Sequence, residues 1–368
     1  MCFKNAVESM GDPAYLGGVF EHIEKYGALK IVYLGGSITQ GVAASDENKR
    51  YVNRLSELIK GKFSSAGIEY FNAGIGATTS LYGCARVRNH VLAHEPQLVF
   101  VDFSVNDDDT ELYSRSYESL LRVLLSAPSV KAVVVLNNTF FNGKPNAAQR
   151  HNTIAKHYGL PIVNAAKVFV PLMQQGKYTP LELSSDYLHP TDKGHEMLSE
   201  MLFALIEDSY KSYLQGTQRE FEKPALPTSI TPCGYCECEM LDNTCCEPEL
   251  SGFTIDAAKG LPFNIPFKNG WLGSRLNDKM TLEYTGKKLL IQWRKTVRRP
   301  APAAIAYTDG DKSCAVTLDA EFEEDWGDKS LVSIISDHER CERHTVTVEI
   351  TRQAENEPFM LMSFIVCK

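Results

Sequence analysis

Five unbroken apolar runs in the first 214 residues leave few folds open: "LKIVYLG" (29–35), "IEYFNAG" (68–74), "LVFVDFS" (98–104), "KAVVVLNN" (131–138) and "PIVNA" (161–165). Their continuous Val, Ile, Leu and Phe content lacks the alternation of a half-wet strand, so both faces must be covered. The intervening segments, such as "ENKRYVNRLSELIKGKF" (47–63) and "YESLLRVLLSAP" (117–128), carry helical spacing. Repeated strand–helix units force right-handed crossovers and a three-layer, flavodoxin-like α/β/α sandwich with a parallel sheet. The long amphipathic stretch at 194–214 closes that domain.

At 368 residues the chain exceeds one usual core, and its texture changes after residue 214. Residues 215–232 are polar and proline-bearing, as a linker should be. From 233 to 368 come short alternating runs (281–293, 303–320, 331–337, 344–350, 359–366) with turn signals and no helical spacing. That pattern predicts an all-β, jelly-roll-like sandwich.

The bulk chemistry removes several classes of function. A formal net charge of -8 argues against non-specific nucleic-acid binding, which needs clustered cations. One basic cluster, "WRKTVRRP" (293–300), reads as a solvated hairpin. No apolar segment reaches the length of a membrane span, and the first twenty residues lack a signal-peptide core, so a cytoplasmic protein is expected. Of ten cysteines, five crowd into 233–246, and in such a compartment all are expected as thiols. Their irregular spacing, with no second C-x-x-C and no nearby histidine, disfavours zinc.

The first run ends in Gly35-Gly36-Ser37. "GGSITQG" meets neither the P-loop nor the dinucleotide pattern, which leaves a serine presented at a strand end. A parallel sheet gathers its carboxyl strand ends into one crevice. The second strand ends in "NAGIGATTS" (72–80), the third in "SVNDDD" (104–109), and "SSDYLHPTDKGH" (184–195) stands near the domain's end. Acyl transfer needs a nucleophile, a base, a group to orient the base, and oxyanion donors. Ser37, His189 and Asp186 fill the first three roles. The backbone N–H groups of Ser37, Gly76 and Ala77 and the Asn106 amide fill the fourth. Asn106 alone would read as a helix cap, His195 as a packed histidine, and Asp107, Asp108 and Asp109 as a solvated loop end. No cofactor is called for.

These blocks, in this order, resemble the SGNH (GDSL-like) hydrolase superfamily over roughly residues 27–214. The resemblance implies a serine esterase and carries its roles onto Ser37, the Gly76–Ala77 turn, Asn106, Asp186 and His189. Two departures stand out. A glycine, not an acidic residue, precedes Gly36-Ser37 in place of the usual Gly-Asp-Ser. Ala77 occupies the place where many relatives carry the oxyanion glycine, which suits a backbone donor if its φ stays negative.

A β-sandwich after such a domain is similar to carbohydrate esterases with a carbohydrate-binding-module-like domain, most of all carbohydrate esterase family 17. That similarity implies removal of O-acetyl groups from acetylated β-manno-oligosaccharides, with the second domain helping to cover the substrate. Trp326, in the acidic loop "DAEFEEDWGDKS" (319–330), is the candidate sugar platform, unless its ring folds back onto the sheet. The rivals are a non-carbohydrate ester, thioester or lysophospholipid hydrolase and a catalytically dead carbohydrate-binding protein. The polar loops after Ser37 and Asn106 favour a hydrophilic substrate.

Overall fold

The computed structural model describes residues 2–216, 221–258, 261–262 and 264–368. They form two compact units, residues 1–233 and 234–368.

In the first unit the strands are β1 (Val7–Ser9), β2 (Ala28–Gly35), β3 (Gly67–Gly74), β4 (Leu98–Asp102), β5 (Ala132–Asn137) and β6 (Ile162–Asn164). The helices are α1 (Pro13–Tyr26), α2 (Ser37–Gln40), α3 (Tyr51–Lys62), α4 (Ser80–His90), α5 (Glu111–Ser126), α6 (Ala148–His157), α7 (Ala166–Gln174), α8 (Pro180–Leu183) and α9 (Asp192–Gln215). The sheet runs β1-β6-β5-β4-β2-β3, with β2 to β6 parallel. Every residue of β4 and β5 is buried, as their unbroken apolar sequences require. β1, an antiparallel edge strand on β6, was not legible because "VES" has only three residues and no apolar pattern.

The order places function. From β2 the chain moves outward to β3, then returns to β4 on the other side of β2. Crossovers leaving β2 toward opposite edges open a crevice at its carboxyl end, the usual site position in such sheets.

Residues 221–232, within the stretch expected as a tether, form a strap on the first unit. The Glu118 carboxylate accepts hydrogen bonds from the backbone N–H groups of Ile230 (2.8 Å) and Thr231 (2.7 Å) and from the Tyr158 hydroxyl (2.6 Å). Lys223 Nζ donates to the carbonyls of Ala127 and Val130. A polar, proline-bearing segment makes few bonds with itself, and here helix α5 and the turn after it supply its partners.

The second unit is all-β and antiparallel, with β7 (Cys238–Leu241), β8 (Glu249–Ser251), β9 (Thr254–Ile255), β10 (Trp271–Gly273), β11 (Lys279–Lys295), β12 (Ala303–Thr308), β13 (Val316–Asp319), β14 (Lys329–Arg352) and β15 (Phe359–Cys367). Seven strands follow one hydrogen-bonded path, β13-β12-β14-β11-β15-β10-β9, while β7 joins it on β15 and β8 on β11; β11 and β14 are long and bulged. Along β11 the inward positions are Met280, Leu282 and Tyr284, then Leu289, Ile291 and Trp293. The change of parity falls at the register shift between Gly286 and Lys288, where a bulge lets one strand serve the same core twice.

Two expectations are corrected here. Cys238 and Cys367 are not thiols but a disulfide. They face each other in the β7–β15 ladder with Cα atoms 4.2 Å apart, a pairing hidden by 129 residues of separation. The basic cluster is solvated only at its tip, 298–300: Arg294 is largely buried and pairs with Asp328 and with buried Glu357, which Arg298 also reaches. Acidic residues distant in sequence neutralise it.

Candidate active site

The turn after β2 exists because three small residues let structure close around it. A Cβ on Gly36 would lie 2.3 Å from Asn106 Oδ1, so only glycine admits the Asn106 amide at that point. Ser37 then opens the single-turn helix α2, and the Thr39 carbonyl at its back is held by Asn72 Nδ2 (2.8 Å) from the end of β3. The loop before α9 closes from the other side: Ser185 N–H donates to the His189 carbonyl, and Tyr187 takes a positive φ of 66°.

These turns bring Ser37, His189 and Asp186 into one chain. His189 Nε2 lies 2.8 Å from Ser37 Oγ, and its Nδ1 lies 2.6 Å from Asp186 Oδ2. The other Asp186 oxygen accepts the backbone N–H groups of Leu188 (3.0 Å) and His189 (2.7 Å). Burial pushes the Asp186 carboxyl up, but these hydrogen bonds outweigh it and hold the group below its ordinary value. It stays an anion oriented toward the imidazole, the condition for a histidine that accepts a proton on its far nitrogen.

The oxyanion candidates from the ends of β3 and β4 lie against the serine turn. A Cβ on Gly76 would come within 3.8 Å of Ser37 Cβ, so this backbone runs beside the serine. Asn106 lies against Gly36 and caps no helix, since α5 begins after Thr110. Ala77 corrects an expectation: its φ is +55°, in the left-handed region. That conformation accounts for the glycine many relatives place there, and alanine holds it at a steric cost.

Several supporting residues were not legible in the sequence. Arg86, wholly buried, donates to the carbonyls of Ala73 (2.6 Å) and Gly35 (3.0 Å), clamping the ends of β3 and β2 behind the serine turn. Asp102 ends β4, where Oδ2 accepts from Thr39 Oγ1 (3.0 Å) and Asn138 Nδ2 (2.8 Å). Burial raises its pKa to about 7, with those two hydrogen bonds opposing. The available signal was an acid closing an otherwise apolar strand. Asp192 ties the loop after α2 to the start of α9 through Ser45 N–H (2.8 Å) and Lys49 Nζ (2.9 Å).

His195 is packed, as expected: its Nδ1 accepts the Tyr51 N–H and its Nε2 meets the Val42 carbonyl. Burial lowers its pKa to about 4, so it remains neutral. Asp107 departs from the solvated loop end. It is buried, accepts the Ser80 N–H at the start of α4 (2.8 Å), and faces His151 Nε2 (3.1 Å). Only Asp108 and Asp109 are exposed.

In the second unit Trp326 is 54% exposed, and its ring meets Phe322 edge-on at 5.1 Å. Its loop is pinned by a bridge from Thr296 to Glu321 and by the bond from Val297 N–H to Asp328. The ring does not fold into the core.

A Ser–His–Asp chain thus stands at the switch point of a mostly parallel sheet, the constellation that acyl transfer to a serine requires. Residues 33–197 match the GDSL-like lipase/acylhydrolase family. Across its whole length the chain is 34% identical to a two-domain esterase active on acetylated mannans, covering 98% of that protein with a TM-score of 0.94. A second crystal structure, of such an esterase co-crystallized with mannopentaose, matches with a TM-score of 0.93 at the same identity and coverage. An acetylxylan esterase of Geobacillus stearothermophilus is 24% identical over 199 residues, 46% of this chain and 90% of that one. The chain belongs to the GDSL-like lipase/acylhydrolase family and is a carboxylic ester hydrolase.

Proposed function

We propose that this protein removes O-acetyl groups from acetylated manno-oligosaccharides through an acyl-enzyme on Ser37. Ser37 Oγ attacks the acetyl carbonyl while His189 Nε2 takes its proton and Asp186 steadies the imidazolium. The Ser37 and Gly76–Ala77 backbone N–H groups and the Asn106 amide receive the developing oxyanion. Collapse expels the sugar oxygen, which takes the proton from His189. Water, deprotonated by the same imidazole, then attacks the acetyl-serine and frees acetate.

The observation that carries the substrate class is the whole-chain likeness, β unit included, to an esterase active on acetylated mannans. A hydrolase needing only a small ester would have no use for a second unit that displays an aromatic ring on a pinned loop. Trp326 is assigned to sugar contact on that ground, as the carbohydrate-binding part of the β unit.

Acetate release from acetylated manno- and xylo-oligosaccharides, beside a long-chain p-nitrophenyl ester, tests the reading. Turnover is expected to favour the manno-oligosaccharide. Preference for the long-chain ester would replace the carbohydrate reading with a lipid one.

A further inference from the structure

In the second unit, β14 makes a detour whose chemistry the esterase reading leaves unused. Two residue steps along β11, from Gly286 to Lys288, face five along β14, from Glu342 to Asp337, so β14 bulges by three extra residues. The bulge folds His338 back over His344, with the two imidazoles stacked at 3.8 Å and an interplanar angle of 8°. Asp309, just past the end of β12, reaches the same point: its Oδ2 lies 2.8 Å from His344 Nδ1. The aspartate is itself fixed, since its Oδ1 accepts the Thr345 N–H (2.9 Å) and its own N–H donates to the Thr345 carbonyl.

One ligand atom from each of Asp309, His338 and His344 lies within 4.8 Å of the others, the one such cluster of His, Cys, Asp or Glu among the described residues. His344 Nε2 is buried with no hydrogen-bond partner, so the protein alone does not complete the ring's chemistry. Neutral imidazole nitrogens and one carboxylate oxygen form a ligand set for a borderline divalent transition metal, not for calcium or magnesium. Bulges that re-aim side chains in this way are functional features more often than defects.

We infer that Asp309, His338 and His344 form a binding site for a divalent transition cation of the zinc class. Three protein ligands leave the fourth tetrahedral position to water. Both histidines and the aspartate belong to the β unit, and none of them is used in the ester chemistry assigned to Ser37.

The test uses the full chain, stripped with chelator, dialysed against zinc chloride and analysed for metal, beside His338→Ala and Asp309→Asn. Stoichiometric zinc and a zinc-dependent rise in Tm are expected in the parent chain. Each variant should bind zinc at least about ten-fold more weakly, since it has lost a ligand. Cobalt should give the intense visible bands of a tetrahedral site in the parent and not in His338→Ala. His338 lies on the bulge, so its variant should keep the chelator-treated Tm and the rate on p-nitrophenyl acetate. Absence of zinc from the parent, or equal zinc binding by parent and both variants, would overturn the assignment and leave a hydrogen-bonded His–Asp pair.

Discussion

The carboxyl-end crevice of the first unit and the Trp326 loop of the second place their functional groups by different rules. In the crevice, Ser37 follows β2, Gly76 and Ala77 follow β3, and Asn106 follows β4, each within four residues of a strand end. A parallel sheet delivers those ends to one place whatever the helices between them do. The Trp326 loop depends on partners brought from elsewhere: Thr296 and Val297 pin it through Glu321 and Asp328, and Glu357 holds the arginines beside it. Topology positions the first set of residues, and side-chain pairing positions the second.

That contrast sets the order in which perturbations should matter. Asp186→Asn leaves an isosteric side chain but removes the charge that steadies the imidazolium, and kcat should fall by about 10⁴ on every ester. Equal loss on p-nitrophenyl acetate and on acetylated oligosaccharide would sharpen the division between the units. A loss confined to the oligosaccharide would break it. Asn106→Ala removes one oxyanion donor and should cost about 10²–10³ in kcat, again on both substrates, with KM nearly unchanged. Because the amide rests against Gly36 Cα, truncation there causes no clash, and Tm should hardly move.

Trp326→Ala belongs to the other region. It should lower kcat/KM on acetylated oligosaccharide by roughly ten-fold, about the worth of a lost aromatic platform, and spare p-nitrophenyl acetate. Equal losses on both substrates would mean that the ring supports folding and not sugar binding.

The smallest expected effect concerns pH and stability, through Asp102. Its pKa is raised from 3.8 to about 7 by burial, so between those values the folded protein holds a proton that the unfolded chain has released. The stability from this group is therefore complete below about pH 4 and is lost as pH rises through about 7. Asp102→Asn should flatten that decline and raise Tm at pH 8 relative to pH 5, as read by thermal unfolding across the range. An unchanged slope would mean that Asp102 is ionised throughout.

The same contrast explains what could be read without a structure. The five strands and the triad residues were legible because continuous apolar runs and strand-end motifs are local signals. Arg86 and Asp107 were not, since their partners lie across the fold: Arg86 on the Gly35 carbonyl, Asp107 on His151. Nothing in the residues around Ala77 signals its positive φ. In the β unit the Cys238–Cys367 disulfide and the His338–His344 stack depend on register and on a bulge, which short alternating strands do not specify.

The central claim is that Ser37 performs the ester chemistry of this protein. Acetate release by Ser37→Ala, measured on p-nitrophenyl acetate and on acetylated manno-oligosaccharide, tests it most directly. The account predicts a fall of roughly 10⁴–10⁶ in kcat on both substrates with Tm nearly unchanged. A variant that keeps a tenth of the parent's activity on either substrate would contradict it.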